Sequence, residues 1–484
     1  MSSSNETPSH SNSLSSHKKF YDFRVEDWYS CCYSTTDKSA EPLTFTTDFL
    51  PLTIEQANAI IHLYELFHKY PRQLLPGDVG LKLPEQEESL QQYIKQAKMN
   101  AMKRFSSLTS VHAIVSDFYD WEPNTFNNNT NNNITDSTGN NRRDYSNWDP
   151  ILKNQKIFTR HDASLIQQLG ISLQQKFDEL AKVSPYPRMD GFFVRASTRS
   201  PKDGCLRHRQ AFMEQLKLEL EKNARESGRD IKYNEPLTVV RAFNAKLCIQ
   251  NAMQALDLLV NSERIYADLF RALLFIDEQL KKEPQKELPE QRLVVRLFKK
   301  MSRPEYEFRV FVKYIEILKQ HQVVGITQYF KTCYLEDLNH HDGSLREQIQ
   351  KGIQSLAQEV STRLQTTENF VLDVSVEYEH VLSEDGKSSQ FKVTKIWMIE
   401  INSFSKQASP CLFDWDEEET IKVLNGELPM QFRILTKPLT LKEGRRELAK
   451  DVSEMLEIIN GKPPAEEEDH DDGDHPSKKN CLVQ

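Results

Sequence analysis

What the chain lacks narrows its class first. No apolar run approaches the length of a membrane span, and the opening residues MSSSNETPSHSNSLSSHKK hold no apolar segment of the kind a secretory signal needs. Its seven cysteines (31, 32, 205, 248, 333, 411 and 481) form no CxxC pair and no even framework. That pattern fits free thiols in a reducing compartment. Positive charge is not in excess: the formal net charge is −9, whereas a general nucleic-acid binder carries a basic field. Glycine is sparse, and no glycine-rich cradle of the Walker type occurs, which excludes a P-loop protein. The expectation is a soluble cytoplasmic protein that does not bind nucleic acid. Its 484 residues are enough for about two to three compact units.

Three stretches are too polar to pack. Residues 1–18 are rich in Ser, Asn and His, 122–147 form an Asn-rich low-complexity loop, and 460–484 are acidic and broken by Pro and Gly. Disorder is expected at both termini, with the Asn-rich loop inserted into the fold. Between them lie an N-terminal part (19–121), a main region (148–440) and a C-terminal helix (441–459). The tail ends in Cys481-Leu482-Val483-Gln484, which fits a C-a-a-X prenylation signal at Cys481 or a chance match. One prenyl chain would give only weak, reversible membrane association.

Helices announce themselves by caps and stripes. Thr53 and Gln56 stand at capping-box spacing before Ile60, Ile61, Leu63, Leu66 and Phe67, and Pro71 closes that helix. Leu165, Ile166, Leu169, Leu173, Phe177 and Leu180 mark a helix over 161–183, and 238–282 read as mostly helical with a charged linker, 281–290, after them. Ser344 and Glu347 suggest a second capping box, ahead of Leu345, Ile349, Ile353, Leu356, Val360 and Leu364.

The strands carry the chemistry. Phe370–Tyr378 and Lys395–Phe404 are dense in β-branched and aromatic residues, with Asp385-Gly386 between them, and predict an antiparallel hairpin. Asp373, Glu400 and Asn402 interrupt the apolar runs. Glu400 and Asn402 share a face, and a hairpin could set Asp373 beside them. The trio is either a set of exposed strand ends or three oxygen ligands suited to Mg²⁺. A short strand, Phe192–Val194, runs into Arg195 and a hydroxyl-rich basic loop with Ser197, Lys202 and Asp203. A buried guanidinium needs an acidic partner or a phosphate. LVVRLFKK (293–300) carries Arg296, and YEFRVFVKYIEI (306–317) alternates so that Phe308, Val310 and Val312 take one face while Glu307, Arg309, Phe311 and Lys313 take the other. VVGITQYF (323–330) pairs back across KQHQ. Arg309 and Lys313 could serve one polyphosphate or line a solvated face. Cations from several strands with an acid–acid–amide trio make the minimum site for MgATP without a P-loop.

The segments SPKDG, VVRLFKK, YEFRVFVK with VVGITQYF, VLDVSVE and IWMIEINSF resemble, in order, the landmarks of the cell division cycle protein 123 family. FRVEDWYS (23–30), SPCLFDWDEEE (409–419) and MQFRIL (430–435) are similar to its opening and closing motifs, so the resemblance spans about residues 20–437. It implies an α+β, ATP-grasp-like fold of two lobes with antiparallel sheets flanked by helices. It implies ATP and Mg²⁺ as cofactors and a role in assembling translation initiation factor two through the gamma subunit, linked to cell-cycle progression. Carried over, Arg195 takes the place of a family lysine on the phosphates, with Ser197, Lys202 and Asp203 in the same nucleotide loop. Arg296, Leu297 and Phe298 match the strand lining the adenine. Arg309 falls on the phosphate side, with Lys313 beyond it, and Asp373, Glu400 and Asn402 match the metal ligands. Glu400 stands where the family has aspartate, and Ser197-Thr198-Arg199 replace Asn-Trp-Ser. An ATP-grasp ligase or kinase is the alternative function, although the sequence identifies neither a catalytic base nor an acceptor.

Overall fold

The computed structural model describes residues 25–33, 42–65, 68, 160–183, 190–227, 235–279, 287–299, 301, 303–340, 343–382 and 389–461. The expected disordered N-terminus (1–18), the Asn-rich loop (122–147), the Asp385-Gly386 turn, Leu66, Phe67, Pro71 and Cys481 lie outside these residues, as does the acidic tail beyond 461.

Two sheets organise the described chain, in the expected α+β class. The first has order β1-β3-β2, with β1 (Thr47–Thr53), β2 (Gly191–Ala196) and β3 (Glu287–Phe298) all antiparallel. The second has order β7-β6-β4-β5-β8, built from β4 (Glu307–Ile315), β5 (Gln320–Gln328), β6 (Phe370–Leu382), β7 (Ser389–Ser403) and the short β8 (Gln431–Arg433). Only the β5–β8 pairing is parallel. The hairpin expected at 370–404 is β6–β7, and the fold-back of 323–330 is β4–β5. Strand β3 starts earlier than the expected linker (281–290) allows. Its Pro289 is tolerated because the β1 pairing shifts register there and β2 joins only from Leu293 onward.

Each sheet buries one face under helices. Val194, Leu293, Val295 and Leu297 of the first sheet pack with α2 (Ile54–Tyr64) and α3 (Arg160–Lys182). The α3 stripe is the expected one, from Leu165 to Leu180, and all six residues are buried. The region 238–282 resolves into α5 (Glu235–Leu247), α6 (Ala252–Val260) and α7 (Glu263–Gln279), following α1 (Val25–Tyr33) and α4 (Arg209–Ser227) in the helix count. In the second sheet Phe308, Val310 and Val312 pack against Leu345, Ile349, Ile353, Leu356 and Val360 of α9 (Ser344–Leu364), which follows the short α8 (Glu336–His340). Alternation places these residues on one side and leaves the other side of β4 for polar groups.

Two local expectations are corrected. Thr53 does cap α2 in a full capping box, accepting from Gln56 N–H at 3.0 Å and donating its own N–H to Gln56 Oε1 at 3.1 Å. Ser344 does not cap α9: the cap is Gly343 at φ 84°, with no side-chain bond. A box needs its Ser in extended backbone ahead of the helix, whereas Ser344 is already the first helical residue. The C-terminal helix is two helices, α11 (Leu441–Arg446) and α12 (Lys450–Ile459), which follow α10 (Glu418–Leu424). The break lets Arg445 fork onto buried Glu235 at 2.8 Å while Val452, Met455 and Leu456 join the helical core of the first sheet. Among the described residues no helix is long and apolar enough to cross a membrane.

Candidate nucleotide and metal site

The polar face of the second sheet is set by register. Asp373 on β6 lies directly opposite Arg309 on β4 and opposite Glu400 on β7. A bulge completes the set. Met398 pairs with Val374 and Glu400 with Asp373, so Ile399 is an extra residue between them. Met398 and Glu400, two apart, would otherwise share a face. The bulge sends Met398 into the core and Glu400 to the polar side, with Asn402 beside it. It also releases the Ile399 carbonyl, which accepts from Arg296 Nη1 at 2.9 Å.

Arg309 holds Asp373 with both prongs, Nε to Oδ1 at 2.8 Å and Nη2 to Oδ2 at 2.7 Å, and its Nη1 donates to the Ser409 carbonyl at 2.8 Å. The Asn402 amide N donates to Asp373 Oδ2 at 3.1 Å and to Glu400 Oε1 at 3.4 Å. Arg195 crosses from β2 to pair with Glu400, while its Nε and Nη2 donate to the carbonyls of Ala196 and Thr198 at 3.1 and 3.0 Å. The first sheet thus meets the second along edge strand β7, where Met398 N–H also donates to Leu43 O at 2.9 Å. Lys202 Nζ sits 4.9 Å from the centre of the Tyr329 ring and 3.5 Å from its hydroxyl, and the Arg309 guanidinium lies 4.9 Å from the same ring. Lys202 rides a two-turn 3₁₀ helix (Lys202–Arg207) pressed against the Leu258 carbonyl, where Gly204 leaves no room for a Cβ.

Charge in this cluster is finely opposed. Burial works against the Glu400 carboxylate, yet Arg195 prevails and holds it well below the usual carboxylate range. Burial pushes Glu307 up to about 7, with Lys202 pulling the other way and Asp373 and Glu400 reinforcing the rise. Burial and the neighbouring Arg195 bring Arg296 down to about 10. Burial opposes the Lys202 ammonium, but Tyr329, Glu307 and Glu400 keep it above its ordinary value. Burial likewise opposes the Arg309 guanidinium, and Asp373 holds it charged, well above the ordinary value. Arg296 donates to Thr47 Oγ1 at 3.2 Å, but its Nη2 is buried with no partner.

The structure therefore brings Arg195, Lys202, Arg296, Arg309, Asp373, Glu400 and Asn402 together. It places the other expected residues elsewhere. Ser197 bonds Glu26 of α1 and receives the Arg292 N–H at 2.9 Å, locking the end of β2 to β3. Asp203 accepts from Ser262 Oγ at 2.5 Å and from Arg264 N–H at 3.2 Å, bracing the start of α7. Leu297 is buried in the helical core on the opposite face from Arg296, and Phe298 packs against that core. Lys313, four residues and about 13 Å along β4 from Arg309, donates to the Asn425 carbonyl at 3.0 Å. Sequence reasoning missed Tyr329, Arg264 and Glu307 as members of the cluster. Glu307 was legible as a face-mate of Arg309, and Tyr329, whose N–H donates to the Glu307 carbonyl at 2.8 Å, as the continuation of the β4–β5 hairpin, whereas Arg264 reaches the cluster only through tertiary packing.

The donor set suits a hard cation in type. Among the described residues no three His, Cys, Asp or Glu side chains are grouped to hold a metal, so Mg²⁺ would rest on Asp373, Glu400 and the Asn402 oxygen. Asn402 would have to turn its amide over, and Glu400 would have to release Arg195.

A D123 family model matches residues 240–456, which take in Arg296, Arg309, Asp373, Glu400 and Asn402. Over those residues, just under half of its length, the chain is similar to the D123 family. A cell division cycle protein 123 of Eremothecium gossypii is 29% identical over 134 residues, covering 27% of this chain and 30% of that protein. A translation initiation factor eIF2 assembly protein of Xenopus tropicalis is 34% identical over 114 residues, covering 24% of this chain and 27% of that one. The chain thus matches under a third of the length of either relative. The solved structure of Cdc123 from Schizosaccharomyces pombe aligns with 87% of this chain and 98% of its own at 14% identity and a TM-score of 0.37. The D123 match leaves out Arg195 and Lys202, so the β2 loop is the part of the cluster that lies beyond it.

Proposed function

We propose that this chain binds MgATP where its two sheets meet, in an ATP-grasp-like manner, and acts in the cytoplasm as an assembly factor for translation initiation factor eIF2, through its gamma subunit, in a role tied to cell division. The observation that carries the nucleotide reading is the cluster itself. Among the described residues four cations (Arg195, Lys202, Arg296 and Arg309) gather with three carboxylates (Glu307, Asp373 and Glu400), and the buried Arg296 Nη2 has a donor to spare. A polyphosphate supplies the missing negative charge and acceptors. The Xenopus relative's name supports the eIF2 role.

In this reading Arg195, Lys202 and Arg309 hold phosphate oxygens and Arg296 offers Nη2 to the nucleotide. Asp373, Glu400 and Asn402 present oxygens to the metal. When bound, Mg²⁺ neutralises phosphate charge against the two carboxylates. Asp373 stays oriented by the Arg309 fork, and Tyr329 backs both Arg309 and Lys202, so their cationic heads remain in place. The experiment is a pull-down of purified eIF2 gamma subunit by the full chain, with and without MgATP, beside thermal shift with MgATP. MgATP-dependent capture and a raised Tm are expected. Absence of the gamma subunit under both conditions removes the assembly role, and an unmoved Tm removes the nucleotide. Farnesylation of Cys481 would add weak membrane association, and a Cys481→Ser variant that keeps its membrane fraction rejects it.

A further inference from the structure

Resting on the MgATP reading, we propose that the Arg195–Glu400 pair is a latch that makes metal and polyphosphate binding depend on each other. The pair joins β2 of one sheet to β7 of the other, and each partner belongs to a different half of the site. Arg195, on β2, belongs to the half assigned to phosphate. Glu400 is one of the two carboxylates facing the metal position. While paired, each occupies the other, so neither half is complete.

The neighbouring pair shows why this matters. The Asp373 side chain is fully buried and gripped at both oxygens by Arg309, and its Oδ2 also accepts from Asn402. Glu400 is 21% exposed, is held by a single Arg195 nitrogen, and sits at a bulge rather than in regular ladder. Among the described residues its other hydrogen bond is the long one accepted from Asn402 at 3.4 Å. Arg195 keeps two backbone carbonyls, those of Ala196 and Thr198, so its guanidinium stays in position when the carboxylate leaves. A cation that draws Glu400 away therefore leaves Arg195 pre-placed for phosphate, and a phosphate that draws Arg195 away frees Glu400 for the cation. Linkage requires this coupling to be equal in both directions.

The test titrates the full chain by calorimetry with Mg²⁺ alone, with ATP in EDTA, and with MgATP. In the wild type the two separate ligands are expected to bind at least about tenfold more weakly than each does in the presence of the other. Arg195→Gln opens the latch from one side and should tighten Mg²⁺ alone about three- to tenfold while weakening ATP. Glu400→Gln opens it from the other and should tighten ATP in EDTA while abolishing the Mg²⁺ enhancement. Lys313→Gln removes one positive charge from the far end of β4 without touching the pair or the cluster, and should leave Mg²⁺ affinity within about twofold. A gain in Lys313→Gln equal to that in Arg195→Gln, or no gain in Arg195→Gln, overturns the latch. A wild type that binds neither ATP nor MgATP overturns the nucleotide reading and the latch with it, whereas MgATP binding without the Arg195→Gln gain overturns the latch alone.

Discussion

Two arginine–carboxylate pairs have their carboxylates on neighbouring strands of one sheet, β6 and β7, and they are held in different ways. Arg309 and Asp373 are partners in the β4–β6 register, 5% and 0% exposed at the side chain, and joined by two parallel bonds. Arg195 and Glu400 come from different sheets, meet through one nitrogen, and leave Glu400 open at its edge. The first pair is a consequence of strand pairing, because wherever β4 and β6 align, these side chains must meet. The second exists only because β2 packs against β7. A desolvated ion pair is costly to break and contributes little beyond a hydrophobic pair of the same size. The inner pair therefore fixes the polar face, and the outer pair is the part of that face that can exchange partners.

Breaking the inner pair should have the largest effect. Asp373→Ala strands the Arg309 guanidinium in a buried site, and denaturant unfolding should report a loss of about 3–5 kcal/mol with MgATP binding abolished. A loss below about 1 kcal/mol would place solvent at Asp373 and erase the contrast. Arg195→Gln leaves a carboxylate that can turn toward water, so the same measurement should give about 1–2 kcal/mol, less than half as much.

Acid and base should separate the carboxylates around these pairs. Glu307 has a folded pKa of about 7, above its ordinary value, so it keeps its proton longer in the folded chain than in the unfolded one. Its contribution is complete below the ordinary carboxylate range and is lost as pH rises toward 7. Glu400 is depressed, so its contribution is present above that range and is lost as pH falls below it. Glu307→Gln should gain in Tm over wild type between pH 5 and pH 8. The deficit of Glu400→Gln should shrink below pH 4, and parallel curves for both variants would contradict the assignment. Lys313→Ala should do least. It lies at the far end of β4 on an exposed carbonyl contact, so stability should stay within about 0.5 kcal/mol and MgATP affinity should not move.

Much of the cluster was readable because period-two alternation is a local property. Phe308, Val310 and Val312 turn to the core and Glu307 and Arg309 away from it, as their spacing predicts. Lys313 obeys the same alternation and still misses the site, because alternation gives the face and not the distance along it. Ser197 and Asp203 carry residue types suited to a phosphate loop, yet both brace backbone, one at β3 and one at α7. The Ser344 pattern failed in a similar way: spacing identifies a box, but φ at Gly343 decides where the helix starts.

By itself the sequence determined the strands, the face of each polar residue on β4 and β6, and the α3 and α9 stripes, because hydrophobic periodicity and strand pairing act over a few residues. Tertiary structure alone decided the bulge that turns Glu400 outward, the approach of β2 to β7, and the arrival of Arg264. These depend on contacts between segments tens to hundreds of residues apart, where a side chain's partner is set by how two sheets pack and not by its neighbours in the chain.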